Sequence, residues 1–331
     1  MYESYYGLKE NPFNVTPDSK FIYLGENHRE ALAQLLYGVK ENKGFIVITG
    51  EVGTGKTTLI HYLLNKLDGN NNTKTAYLFN PKLDVNDFIQ YILKDLGIEV
   101  NGGTKGDYLH ILYRHLLNAY QNNEKVVLIV DEAQGLNPEL LEEIRLLSNL
   151  ETSKSKLLQI VLVGQPELKR TLFKEEFRQI RQRINMRYHL QPLSRKETKE
   201  YIEKRLRVAG AKGSLFTEKA VNEIYERSGG IPRLINILCD NSLLNGYALE
   251  QKIVDDKSVR EAAKDLSLKS GPSRLWTWIV IPLCILGVVL IILLLQKNGL
   301  LLPLYKWILK SFQYIKEVHI NGFQYVATFF K

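Results

Sequence analysis

Residues 50–58 read GEVGTGKTT, and four of them fit the spacing G-x-x-x-x-G-K-[ST]: Gly50, Gly55, Lys56 and Thr57. Glycines at such places let successive backbone N–H groups turn inward around phosphate oxygens. The run Gly50, Glu51, Val52, Gly53, Thr54, Gly55, Lys56, Thr57 and Thr58 therefore reads as a cradle for a nucleoside triphosphate. In such a cradle Lys56 neutralises the β- and γ-phosphates, Thr57 ligates Mg2+, and the following helix presents its positive end. Asp131 and Glu132 stand directly after the apolar run VVLIV. A carboxylate at the C-terminal end of a buried strand, beside a phosphate loop, can hold Mg2+ through water. Its neighbour Glu132 can then orient and deprotonate an attacking water, which is the chemistry of hydrolysis. A surface turn is the other use of a D-E pair, and the phosphate loop upstream disfavours it.

Three further places carry polar groups of the right type. Gln165 follows IVLVG, where it could sense a γ-phosphate or stand as a solvated loop glutamine. Arg178, Arg181 and Arg183 lie in FRQIRQRINMR. Arginine stabilises the charge on a transferring phosphoryl group and can come from a neighbouring subunit, whereas a basic run is otherwise a solvated face. Arg233, in SGGIPRLIN, sits at the start of a helix from which it could close over a nucleotide or simply face water. Residues 65–68 spell NKLD, the guanine-reading NKxD pattern. They fall at the end of the helix after the phosphate loop, far upstream of where that pattern works, so the match is coincidental.

These residues need a scaffold, and the apolar periodicity predicts one. FIVIT (45–49), TAYLF (75–79), VVLIV (126–130) and IVLV (160–163) have the form of buried parallel strands. Helical spacing separates them, as in HREALAQLLYGVKEN, VNDFIQYILKDLGI and 108–121, so a parallel sheet covered by helices on both faces is expected. After about residue 190 the pattern becomes wholly helical, with Pro232 at a helix start. Residues 269–274 (KSGPSR) read as a linker.

The chain has 331 residues, 45% hydrophobic and 24% charged, which is enough for about two domains and leaves no reason to expect disorder. Its formal charge of +8 invites a nucleic-acid partner. Half of that excess lies in 296–331, however, where Lys297, Lys306, Lys310, Lys316 and Lys331 face Glu317 alone, so the sequence speaks against nucleic acid. Cys239 and Cys284 are too few for a disulfide framework, and MYESYYGLKENPF lacks the apolar core of a signal peptide. A cytoplasmic body is expected. Residues 276–295 are twenty in number, uncharged, and open on Trp276 and Trp278. Twenty residues at 1.5 Å each cross a hydrocarbon core of about 30 Å, so a single transmembrane helix is expected here. Beyond it, polar positions at helical spacing in 302–317 suit a tail lying along the membrane face, on its far side or as a second span.

The set GEVGTGKTT, VVLIVDEAQ, IRQRI and SGGIPRLIN resembles an AAA+ P-loop ATPase. YYGLKENPFNVTPDSKFIYLGENHREAL, DEAQGLNPELLEEIRLLSNLE and LVGQPELKR narrow the likeness to the secretion-ATPase family typified by general secretion pathway protein A, over roughly residues 1–265. With the pattern of the residues, that likeness implies an N-terminal leader packing on the ATPase (1–43), an α/β AAA+ core (44–190) and an all-helical lid (191–268); the span (276–295) and a short tail (296–331) rest on the residues alone. It implies Asp131 and Glu132 as the Walker B pair, Gln165 as first sensor and Arg233 as second sensor. IRQRI is also similar to the finger of branch-migration motors, which favours Arg183 over Arg181. The implied partners are further copies of the chain, the lipid bilayer and inner-membrane assembly proteins of secretion, pilus or exopolysaccharide-export machinery. A DNA-associated ATPase of the transposition-target-selection type shares much of this core and is the alternative. An ATP-binding switch that turns over slowly is a third reading.

Overall fold

A strand buried on both faces needs an almost unbroken apolar run, and three segments of this chain supply one. The computed structural model describes residues 1–266 except Pro17, Gly69, Asn70, Asn71, Asn101 and Lys154. In it those runs form β1 (Phe45–Gly50), β3 (Lys125–Val130) and β4 (Leu158–Gly164). β2 (Thr73–Leu78) and β5 (Met186–Leu190) flank them. All pairings are parallel, and the order is β2-β3-β4-β1-β5. One strand more is present than the apolar runs predict. In β5 exposed Arg187 and His189 alternate with half-buried Met186 and Tyr188, the pattern of an edge strand that no apolar run announces. β2 ends at Leu78, one residue short of the prediction, and leaves Phe79 exposed.

The helices, in chain order, are α1 (Tyr2–Tyr5), α2 (Glu26–Lys40), α3 (Lys56–Asp68), α4 (Val85–Asp95), α5 (Lys105–Gln121) and α6 (Pro138–Leu147). They continue as α7 (Pro166–Leu172), α8 (Arg178–Arg183), α9 (Arg195–Val208), α10 (Glu218–Ser228), α11 (Pro232–Ala248) and α12 (Asp256–Asp265). Local chemistry sets several starts. Thr104 and Asp107 form a capping box on α5, Ser194 and Glu197 one on α9, and Pro232 occupies the first turn of α11.

Side chains alternate across the sheet and feed two cores. Phe45, Val47, Leu128 and Leu162 pack with Phe88, Leu112 and Ile144 on one face. Ile46, Ile48, Ile129 and Val163 pack with Leu35, Leu59 and Leu63 of α2 and α3 on the other. A third core lies away from the sheet and joins Tyr2, Phe13 and Phe21 to α9–α12 through Tyr201, Ile235, Leu238 and Val259. Residues 2–21 thus belong with the C-terminal helices, whereas α2 belongs to the sheet. At the junction the Leu193 N–H donates to the Gly230 carbonyl at 2.9 Å, and a Cβ on Gly230 would lie 1.9 Å from the Leu193 oxygen, so only glycine fits. Among the described residues no helix is long and apolar enough to cross a membrane; the expected span 276–295 and the tail 296–331 lie outside them.

Candidate nucleotide-binding site

Because β1, β3 and β4 are parallel neighbours, their carboxyl ends open side by side, the place where open α/β sheets receive ligands. β1 ends at Gly50 and α3 begins at Lys56, so the intervening residues 51–55 must turn sharply. Gly53 (φ 82°) and Gly55 (φ 96°) supply the left-handed backbone for that turn. The buried Lys56 amine donates to the carbonyls of Gly50 (2.9 Å) and Glu51 (3.0 Å). Burial pulls it below its ordinary pKa, and the negative charges of Glu132 and Asp131 oppose that pull. Under the loop, the buried His28 of α2 bonds the Thr54 carbonyl through Nε2 at 2.8 Å. Burial lowers the His28 pKa, so the neutral ring, with its hydrogen on Nε2, is the form that supports the loop.

The end of β3 adds the acid pair. Asp131 is 2% exposed, and its Oδ2 accepts from the Thr57 hydroxyl at 2.8 Å and from the Tyr77 hydroxyl at 3.3 Å. Burial, and then the Asp131 charge, raises the Tyr77 pKa, which keeps that hydroxyl a donor. Glu132 is exposed at the mouth of the site and sits in left-handed backbone (φ 50°, ψ 34°), an uncommon place for a non-glycine residue. Its Oε2 accepts from the Gln165 amide at 3.2 Å and from the Gln134 amide. Gln165 therefore comes to the carboxylate from the end of β4.

Arg233 approaches from the other side. Its N–H donates to the Gly53 carbonyl at 3.3 Å, and a Cβ on Gly53 would lie 2.7 Å from the Arg233 Cβ. The first turn of α11 therefore rests on the phosphate loop. Between them lies a cavity of about 250 Å³ whose walls include Lys56, Glu132, Gln165, Arg233, Phe21 and Arg205. Arg205 is 7% exposed, and among the described residues no carboxylate pairs with it. Instead it donates to the carbonyls of Pro12 and Asn14 and to the Tyr201 hydroxyl, tying the leader to α9.

Arg181 and Arg183 are not brought to this cluster. The Asn185 N–H donates to the Phe45 carbonyl at 2.9 Å, so the segment before β5 lies at the amino end of β1. Six residues of strand at about 3.3 Å each put roughly 20 Å between that end and the phosphate loop. Arg181 is occupied there, donating to the Phe173 carbonyl at 2.9 Å with its guanidinium over the Phe173 ring. Arg183 forms no hydrogen bond or ion pair among the described residues and lines a pocket with Ser148, Lys156 and Asn185. Arg178 is loosely paired with Glu175 at 3.8 Å.

His28, Tyr77 and Gln134 belong to the site and were not singled out from the sequence. His28 could have been found: it is the polar residue on a helix face otherwise buried as Ala31, Leu32, Leu35 and Val39. Tyr77 leaves no such trace, because Asp131 lies across the fold, and neither does Gln134, whose local bond to Glu132 gains its second end only from Gln165 on β4.

Residues 39–172 match the family model described as an AAA domain. General secretion pathway protein A of Aeromonas hydrophila is 43% identical over 268 residues, which is 81% of this chain and 49% of that protein. The chain carries an AAA+ ATPase domain. It is a relative of general secretion pathway protein A and spans about half the length of that protein. An uncharacterized HTH-type transcriptional regulator of Methanocaldococcus jannaschii is 26% identical over 310 residues, 80% of this chain and 74% of that one. Among solved structures, the Aeropyrum pernix ORC2 protein in its ADPNP–ADP complexes superposes with a TM-score of 0.58 at 18% identity, covering 77% of this chain and 71% of that one. That likeness speaks to the fold alone.

Proposed function

We propose that this AAA+ ATPase hydrolyses ATP while anchored to the bacterial inner membrane by residues 276–295. The work would be the assembly or remodelling of a cell-envelope secretion, pilus or export complex. The observation that carries the hydrolysis is the meeting of Thr57, Asp131 and Glu132 beside the buried Lys56 amine. We assign residues 44–190 to the ATPase core, 191–268 to the lid, and 1–43 to a leader shared between them.

The donor set fits Mg2+. Two hard oxygens, Thr57 Oγ1 and Asp131 Oδ2, lie 2.8 Å apart at the mouth of a glycine cradle, and Mg2+ takes few protein oxygens beside phosphates and waters. Bound there, Mg2+ neutralises phosphate charge. Residues 50–58 would grip the phosphates through backbone N–H groups, with the Lys56 ammonium on the β- and γ-oxygens. Glu132 would orient the attacking water and accept its proton, Gln165 would face the γ-phosphate, and Arg233 would report closure of α11 over the loop. Arg183 cannot reach its own phosphates from the amino end of the sheet, so it would serve a neighbouring copy. Seven Lys or Arg against three Glu in 166–190 suit a face that meets a neighbour's triphosphate.

The test pairs Lys56→Ala with Glu132→Gln. Lys56→Ala should abolish nucleotide binding, and Glu132→Gln should keep it while turnover falls about 10²–10⁴-fold. Equal loss of binding in both would sink the assignment. The DNA-associated reading stays open because a relative carries an HTH-type regulator's name. Cell fractionation separates the two: recovery of the whole chain in the soluble or nucleoid fraction would remove the membrane reading.

A further inference from the structure

Glu132 is held by more than its own strand. Gln134, in the short turn Ala133–Gly135, donates its amide N–H to Glu132 Oε2. The other end of the same amide, Oε1, accepts the backbone N–H of Gln165 at 2.9 Å. One planar group thus spans the ends of two strands, β3 with the base and β4 with the γ-phosphate-facing loop. Its place is made by a missing side chain. A Cβ on Gly164 would lie 2.7 Å from Gln134 Oε1 and 3.2 Å from the Gln134 nitrogen. The Gln165 side chain donates to the same Glu132 oxygen at 3.2 Å. Both amides therefore grip Oε2, and Oε1 is left with no protein donor among the described residues.

We infer that Gln134 is a positioning residue for hydrolysis: it fixes the Glu132 carboxylate so that Oε1 faces the water, and it ties that orientation to the loop after β4. The inference rests on the reading of Glu132 as the base. Glu132 sits in backbone that favours other residues, so its aim is not secured by the main chain alone. A base that swings must be reoriented at each turnover, and misplacement by about 1 Å can cost 10²-fold. The coupling also works in reverse. Any shift of Gln165 N–H pulls Gln134 Oε1 and with it the donor that holds Glu132.

Gln134→Met removes both bonds at nearly constant volume. Gln134→Glu keeps the acceptor for Gln165 but sets an anion against Glu132. We expect both to lower kcat about tenfold to a hundredfold, with KM and ADP affinity within about twofold of the parent. In single-turnover measurements on the Glu132→Gln background, Gln134→Met should cause no further loss, because there is no base left to aim. A further, multiplicative loss there would overturn the inference, since Gln134 would then act apart from Glu132. Parental kcat in both Gln134 variants, with Glu132→Gln inactive, would overturn it while leaving the base reading intact. Normal turnover by Glu132→Gln alone would instead remove the base reading, and this inference with it. If Gln134→Met fails to bind ADP, the isosteric Gln134→Glu decides between the same outcomes.

Discussion

The two ends of the sheet are built on opposite plans. At the carboxyl end the acid pair is held by its neighbours: Thr57 and Tyr77 meet on Asp131, Gln134 and Gln165 on Glu132, and Lys56 bonds the carbonyls of its own loop. At the amino end Arg183 faces a pocket and bonds to nothing among the described residues. The first end is tied together within one chain, and the second leaves a guanidinium without a hydrogen-bond partner among the described residues. On the proposed reading, that difference separates a pre-organised site from a group that serves another molecule.

The comparison breaks most readily at Arg183. Arg183→Ala should lower kcat about 10³-fold or more if the guanidinium serves a transferring phosphoryl group. Arg181→Ala should cost far less, because Phe173 already occupies that side chain. Mixing inactive Arg183→Ala with inactive Glu132→Gln should restore hydrolysis, since each subunit brings what the other lacks. No rescue, together with activity per subunit that does not depend on concentration, would make both ends parts of a self-sufficient monomer.

A smaller effect tests how tightly the carboxyl end is locked. Arg205→Met leaves the Pro12 and Asn14 carbonyls without their buried donor and should cost about 3 kcal/mol in chemical denaturation. The loss should come from the leader and lid, so ADP should bind more weakly as well. Unchanged stability would mean that the leader holds without this arginine.

The ends should also differ in their response to acid. His28 is neutral and buried in the folded chain, with a pKa below its ordinary 6.5, so the unfolded chain binds the extra proton first. Stability is then fully present above about pH 6.5 and falls as pH drops below it. His28→Gln should flatten that slope in denaturation midpoints taken from pH 7.5 to 5, and Arg183→Ala should leave it unchanged. His115, also lowered chiefly by burial, will keep a residual slope in the variant. Smallest of all, Tyr77→Phe removes one 3.3 Å bond to Asp131 and should raise KM for Mg-ATP only about twofold. A tenfold rise would promote Tyr77 from support to an essential part of the acid pair.

Much of the carboxyl end was legible because its chemistry is contiguous. GEVGTGKTT and VVLIVDE each carry strand, turn and functional group in one stretch, so local physics settles them. The edge strand β5 was not legible, since MRYHL has no apolar run and is held by its pairing with β1. The Gln134 bridge was hidden for a related reason: it needs Gly164, thirty positions away, to lack a side chain. Arg181 and Arg183 have the same chemistry in sequence, where only the resemblance of IRQRI favours Arg183, and the Phe173 contact of Arg181 is the difference that the fold adds.

The polarity of the sheet limits how copies of the chain could meet. Its five strands all point one way, so an arginine at the amino end would reach a phosphate loop at the carboxyl end of a second copy only through contact of unlike faces. A two-fold pair would make that contact twice, reciprocally, whereas a repeated one-way contact would close as a ring or advance as a helix. The subunit count would then follow from a small angle between neighbours rather than from any one residue.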